Sequence, residues 1–436
     1  AGPSSGGAVA AQAASAEFSF ICECFFLTAE ALHLGLIRVI GTYTEEAKEA
    51  HRRRDELDAA EERLGAMAGA DPNLEALRAQ CGRDLQRRLC FDAALQTPDV
   101  LSRALAFYRL MVVWLRDLCG GSGVEGDQLP LPPPEVFRAM PEHFVEDMAE
   151  TLLFVGRLMS YGYLRELGSE RLDEFMDFLV VFSGSPLHIK NPYLRAKLIE
   201  VLAAWMPDSG DDSGATGRRR RRGNAPVASF ASSLFEAHPT AIKLLVPNLV
   251  KLYVQIEFTG SHTAFFEKFT IRNNMAQLFE YLWTVPAHRA TWKAFAAAES
   301  GEAGQYIGFI NMLLNDLIYL LDEGMKKIPL IREFENELAN PNSDFHRLPQ
   351  AEREEREKTH RDNEQYARGD FGLASEYVNL LRYTSAEITD ALLSESMVAR
   401  VGSTLNYFLL MLVDPTERRK YRVKDPSKYD FNPQQL

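Results

Sequence analysis

Cysteine is scarce in this 436-residue chain: five occur, an odd number at spacings that form no pairing pattern. That excludes a disulfide-stapled fold. With no Asn-x-Ser/Thr acceptor anywhere, it fits a reducing intracellular setting. No Asn-Gly or Asp-Gly dipeptide occurs and sustained apolar–polar alternation is missing, so the usual marks of hairpins and half-exposed sheets are absent. Gly 28 and Pro 21 are ordinary for the length, which removes collagen-like and low-complexity classes. No uncharged apolar run reaches the ~18 residues of a spanning helix. The best stretch, Val401 to Val413, reads as a core helix, and no membrane partner is expected. Positive charge is in deficit, 48 Lys and Arg against 61 Asp and Glu for a net −13, which argues against a broad nucleic-acid face. The small-residue tract Ala1 to Ala16 lacks the basic start and apolar stretch of a signal peptide. It reads as a disordered lead-in, at the head of a segment of a longer protein.

What remains is helical periodicity in a chain that is 46% hydrophobic, enough for a continuous core. Phe18 to Ile40 is apolar nearly all round and predicts a buried helix. Thr42 and Glu45 have capping-box spacing and predict the start of a separate charged helix to about Met67, supported by Glu49–Arg53 and Arg54–Asp58. Leu101, Leu105, Tyr108, Val112 and Leu115 form a stripe within Asp99 to Cys119. Further helices are predicted over Glu135 to Ser160, Arg171 to Phe182 and Pro192 to Met206. Later ones are bounded by Pro239, Pro247, Pro286 and Pro329. Gln350 to Gln365 has one apolar residue, Ala351. Its spacings Glu352–Arg356, Glu354–Lys358 and Glu357–Arg361 predict a helix held by its own charges over solvent. Tyr377, Leu381, Thr384, Ile388 and Leu392 return to one buried face. The expected class is all-α, an irregular armadillo-like α-solenoid of stacked helix pairs, with a single large bundle as the competing architecture. The expected organisation is a lead-in over 1–16 and N-terminal helices over 17–119. A linker (120–134), helices (135–206), a disordered charged insertion (207–226) and helices (227–436) follow.

Few motifs carry chemistry. Gly121, Gly123 and Gly126 match a dinucleotide-binding string, but coil follows where phosphate binding needs a helix N-terminus. Cys22 and Cys24 lie about 200° apart around a helix and cannot share a metal ion. With Cys81, Cys90 and Cys119 they read as buried structural thiols. His51 and Asp55 are one turn apart, but flanking Arg52, Arg53 and Arg54 repel a cation. Arg218 to Arg222 reads equally as an import signal or as a charged insertion. Phe265, Phe266, Phe269, Phe279, Tyr281, Trp283 and Trp292 read as core. Asn315, Asp316, Asp322 and Glu323 ring an apolar helix with nothing tying them to acid–base work. No catalytic residue, metal ligand, cofactor or small-molecule substrate is expected.

Three ordered stretches go further. Ser185 to Leu198, with Lys190, Asn191, Pro192, Tyr193 and Lys197, resembles the central signature of the ubiquitin conjugation factor family, the U-box chain-elongation factors. Phe266 to Asn274, with Phe269 and Arg272, then Tyr281 to Trp283 and Asn315 to Glu323, resembles its following helices. Val423 to Pro433, with Lys424, Pro426, Tyr429 and Pro433, resembles a segment near the end of the family's core. Asn191 and Pro192 are suited to an N-cap and a first helical turn. The resemblance implies an armadillo-like scaffold that helps extend ubiquitin chains on proteasome-bound substrates. It also implies a ligase of non-covalent type, whose C-terminal U-box recruits a ubiquitin-conjugating enzyme. No U-box is expected within this chain. The implied partners are ubiquitinated substrates, an AAA-type segregase and ubiquitin-receptor shuttles, and the implied location is cytoplasm and nucleus. A scaffold with no ubiquitin role, and a ligase using one of the five cysteines as covalent acceptor, are the alternatives.

Overall fold

Helix caps, prolines at first turns and apolar stripes place the elements of this chain, for which a computed structural model describes residues 19–64, 72–120, 129–158, 172–207, 232–256, 262–301, 304–414, 419–421 and 423–429. The lead-in 1–16, Gly121 to Gly126, Arg218 to Arg222 and Pro433 lie outside the described residues. Every regular element among the described residues is helical, so the chain is all-α. Two compact units are distinguished, Ala1–Leu118 with Glu135–Tyr163, and Cys119–Pro134 with Leu164–Leu436.

In the first unit, α1 (Phe20–Ala31) runs through a π-helical turn (Leu32–Ile37) into α2 (Arg38–Leu64). Then come α3 (Pro72–Leu95), α4 (Pro98–Leu118), α5 (Glu135–Arg138) and α6 (His143–Leu158). The side chains that join α2 to α3 form a ladder. Arg78 meets Glu61 at 2.8 Å, Arg53 meets Asp84, Arg87 meets Glu46 at 3.1 Å, and Tyr43 donates to Asp92 at 2.7 Å. The partner number falls on α2 as it rises on α3, which makes the pair an antiparallel hairpin. The predicted stripe of α4 is buried from Leu101 to Leu115. Glu49–Arg53 and Arg54–Asp58 also form, at 3.1 Å each.

Three expectations here are corrected. Thr42 starts no helix: its hydroxyl donates to the Arg38 carbonyl at 2.9 Å within an uninterrupted rod, because a local cap cannot stop a helix whose ladder already continues. The helix predicted over Glu135 to Ser160 is broken at Pro141, which has no N–H and disfavours helical geometry at Met140. The apolar helix over Phe18 to Ile40 is not buried. Phe20 is 77% and Ile21 79% exposed, and an 18-residue window of Phe20–Glu62 with mean hydropathy 1.7 is only 6% buried. By length and composition alone, that window meets the requirement for crossing a membrane. Burial needs a facing surface as well as apolar residues. Here one face of α1 finds such a surface, where Phe25 lies 5.2 Å from Phe107 and 4.9 Å from Trp114 between ring centroids.

The second unit contains α7 (Asp173–Ser183), α8 (Pro192–Trp205), α9 (Pro239–Gln255), α10 (His262–Thr284), α11 (Pro286–Ala298), α12 (Gln305–Ala339), α13 (Gln350–Ser385) and α14 (Glu395–Val413), with a short turn at Pro426–Tyr429. Buried α9 touches α7, α8, α10, α11 and α12. Its surroundings are aromatic: Tyr253 lies 5.1 Å from Phe309, Phe279 4.9 Å from Trp292, and Phe178 stacks on Phe182 at 4.2 Å. Pro239 and Pro286 do occupy first turns, but Pro247 and Pro329 lie inside α9 and α12. Buried neighbours Val246, Asn248, Ile328 and Ile331 hold those stretches helical against a proline cost of about 3 kcal/mol.

The charged half of α13 is also corrected. It is not a solvent bridge but the start of a 36-residue helix lying along α12. Arg356 reaches Glu337 of α12 at 2.9 Å, and His360 stacks on Phe334 at 4.6 Å, while Glu357–Arg361 remains a 3.9 Å pair within the helix. The two helices approach closely at Gly324, where an added Cβ would lie 2.9 Å from the buried Phe371 ring. Gly324→Ala should therefore lower stability by about 1–2 kcal/mol despite the better helix propensity of alanine. Urea unfolding checks this, and a stabilised variant would show that the ring yields freely.

Candidate functional site

Two of the sequence-predicted signature residues, Arg272 and Asp316, meet at one place in the second unit, the C-terminal end of α9. A helix leaves its last carbonyls without internal partners. Here Arg272 of α10, fully buried, donates through Nη2 to the carbonyls of Tyr253 (3.1 Å) and Ile256 (2.8 Å). Its Nη1 donates to Oδ2 of Asp316 on α12, and its guanidinium lies 4.4 Å from the Tyr253 ring centroid. Tyr253 donates its hydroxyl to the same Asp316 oxygen at 2.8 Å, and Lys268 reaches Oδ1 at 3.4 Å. Two cations thus face one carboxylate in a dry site. The negative end of α9 supplies the missing countercharge. Burial holds the Tyr253 phenol well above its usual range, with Tyr377 and Asp316 reinforcing it. Asp316 therefore does not ring the surface as its sequence neighbours suggest; it is buried between three helices.

The other signature positions brace helix ends and contacts. Asn191 accepts from the Tyr193 amide at 3.0 Å and caps α8, with Pro192 in the first turn; Lys190 and Tyr193 are exposed and Lys197 half-buried. In the turn before α8, Ser185 Oγ and His188 Nδ1 are 2.9 Å apart, a bond between neighbours that closes the turn. Phe269 stacks on Tyr319 at 5.8 Å. Asn315 accepts from Arg400, and Asp322 accepts from the Tyr407 hydroxyl at 3.0 Å, so both face α14. The Lys424 amide donates to Glu335 at 3.3 Å, and Pro426 opens the short turn ending at Tyr429. Buried Tyr429 donates to Glu364 at 2.9 Å, beside Lys428 at 2.6 Å. Phe279, Trp283 and Trp292 are core, as the aromatic clustering predicts.

Such strings of helix-bracing residues identify a family rather than a reaction, and a family model described as the ubiquitin elongating factor core matches residues 6–436. The chain belongs to this family. It is 44% identical over 429 residues to the probable ubiquitin conjugation factor E4 of Arabidopsis thaliana, covering 96% of this chain and 38% of that protein. It is 30% identical over 437 residues to ubiquitin conjugation factor E4 A of Bos taurus, again covering 96% and 38%. It is 27% identical over 449 residues to the E4 ubiquitin-protein ligase UFD2 of Saccharomyces cerevisiae, covering 96% and 44%. The chain thus spans less than half the length of these relatives.

For an elongating factor core, the cysteines matter most as chemistry. Cys119 is buried, and burial pushes its thiol up to about 12, which removes the thiolate a nucleophile needs. Cys22, Cys24 and Cys90 are exposed and Cys81 half-buried, which corrects the expectation of buried structural thiols. They sit on outward faces of α1 and α3 that the sequence pattern could not orient. His51 and Asp55 are 3.7 Å apart on an exposed face, as predicted. One cluster went unseen in the sequence. His33 Nδ1 lies 2.9 Å from Asp147 Oδ2, and His143 stands beside them. The four-residue step from His143 to Asp147 was the only legible trace, since His33 is more than a hundred residues away. Burial raises the Asp147 carboxyl above the usual range, while the His33 bond pulls it back.

Two outcomes follow. Arg272→Met should cost about 3–5 kcal/mol, because it removes a buried cation from Asp316 and leaves two carbonyls without their donor, and Arg272→Lys should restore little of this. Shifts in urea midpoints measure both. Beside Glu323, Asp370 is pushed up to about 7, by burial first and by the Glu323 charge second. Folded Asp370 thus keeps a proton that an exposed aspartate loses near pH ~4, so its contribution to stability falls as pH rises from about 4 to 7. Asp370→Asn should flatten that decline and add about 1–2 kcal/mol above pH 7, discounted for partial exposure. Unfolding curves at several pH values decide it.

Proposed function

We propose that this chain is the scaffold of a ubiquitin-chain elongation factor, promoting extension of chains on substrates destined for the proteasome. The observation that carries this reading is the family match across residues 6–436, joined to 44% identity with a relative named as a ubiquitin conjugation factor E4. The ligase action is of non-covalent type. A conjugating enzyme, recruited through a U-box, carries ubiquitin on its own cysteine, and the helical framework holds donor and acceptor together. Tethering of this kind raises the effective concentration of the acceptor, to the millimolar range for short connections, and orients the reacting groups without new covalent chemistry. A framework braced by a buried ion-pair hub suits that task, because positioning demands stiffness. The partners of this reading are ubiquitinated substrates, an AAA-type segregase and ubiquitin-receptor shuttles, in cytoplasm and nucleus.

Reconstitution tests it directly. The full-length protein that carries this chain, with activating and conjugating enzymes and a substrate bearing short ubiquitin chains, should give longer chains on gels. Unchanged chain length would sink the assignment. Replacing Cys22, Cys24, Cys81, Cys90 and Cys119 together with Ser should leave elongation intact; its loss, with the fold retained by circular dichroism, would favour a covalent acceptor.

A further inference from the structure

We propose that His33, His143 and Asp147 form a zinc-binding site in the first unit. His143 and Asp147 stand four residues apart on α6, so both side chains leave one face of that helix. His33 comes from the π-helical turn Leu32–Ile37 that joins α1 to α2. Such turns widen a helix locally and frequently mark functional positions. The outcome is three ligand atoms, one from each residue, all within 4.8 Å of one another. The His33 and His143 ring centroids are 4.7 Å apart, and His33 Nδ1 lies 2.9 and 3.0 Å from the two Asp147 oxygens.

The donor set selects the ion. Two imidazoles and one carboxylate without a thiolate suit Zn²⁺, in the three-ligand arrangement that leaves a fourth position for water. Tetrahedral bonds of ~2.0 Å place neighbouring ligand atoms about 3.3 Å apart, so His33 and Asp147 need to open by only a few tenths of an ångström. The His33–Asp147 contact on its own satisfies the buried carboxylate and leaves the second imidazole unexplained; a metal ion uses all three. Asp147 is 5% exposed at its side chain and His33 32%, so the anchor is buried while the entrance meets solvent. His143 packs edge-on against Phe144 at 4.9 Å, which restrains its ring. Binding would fasten α1, whose apolar surface is largely exposed, onto α6.

The test uses the whole chain freed of metal, titrated with Zn²⁺ by calorimetry and with Co²⁺ by absorption. One ion per chain is expected, with Co²⁺ d–d bands and no thiolate charge-transfer band. His143→Gln leaves the His33–Asp147 contact in place and should weaken binding about tenfold or more. It should also abolish the Zn²⁺-induced rise in melting temperature, with the metal-free melting temperature unchanged. His51→Gln, at an exposed His–Asp pair, should alter none of these. No binding at 1:1, wild-type affinity in His143→Gln, or a thiolate band from the exposed cysteines would each overturn the site.

Discussion

Burying a guanidinium is expensive unless it is paired, and three helices of the second unit meet where both terminal nitrogens of Arg272 find partners. The residue supplies what three helices lack at once. It caps the orphan carbonyls of α9, balances the carboxylate of α12, and covers the face of Tyr253 while fixed on α10. Because each bond has a set direction, the three helices can meet in only one register without leaving a charge stranded. Within the strings by which the family is recognised, Arg272 and Asp316 do geometric work.

The α2–α3 hairpin and the hub at the end of α9 use different kinds of polar contact. The α2–α3 hairpin is laced by pairs that solvent reaches, and contacts of that sort contribute little singly, about 0–1 kcal/mol each. They serve register and solubility more than stability. At the α9 hub the ion pairs to Asp316 are dry, so their loss is costly and their geometry specific. The first unit thus carries a partly apolar, solvent-facing surface on α1, and the second a hub of dry ion pairs.

Much of the helical content could be read residue by residue. The α4 stripe from Leu101 to Leu115, the Asn191 cap and the aromatic cluster of Phe279, Trp283 and Trp292 are local patterns with one sensible outcome. The misreadings share a cause. Thr42, Pro247 and Pro329 carry local start or stop signals that surrounding helix and core overrode. Arg356 had an intrahelical partner at the right spacing and took Glu337 across the helix pair instead. A stretch as apolar as Phe20 to Ile37 looked buried, yet apolarity states a preference for burial, and only neighbours can satisfy it.

Sequence by itself determined the class and the kinship: helical period, missing hairpin signals, and ordered strings that need no third dimension to be matched. Tertiary structure alone decided which charges became interior and which imidazoles met. Asp316 and Asp322 are equivalent by composition, and His33 is far along the chain from Asp147. The reason is physical. Periodicity is a property of consecutive residues, whereas burial and ligand geometry depend on distances between segments that fold together from remote parts of the chain.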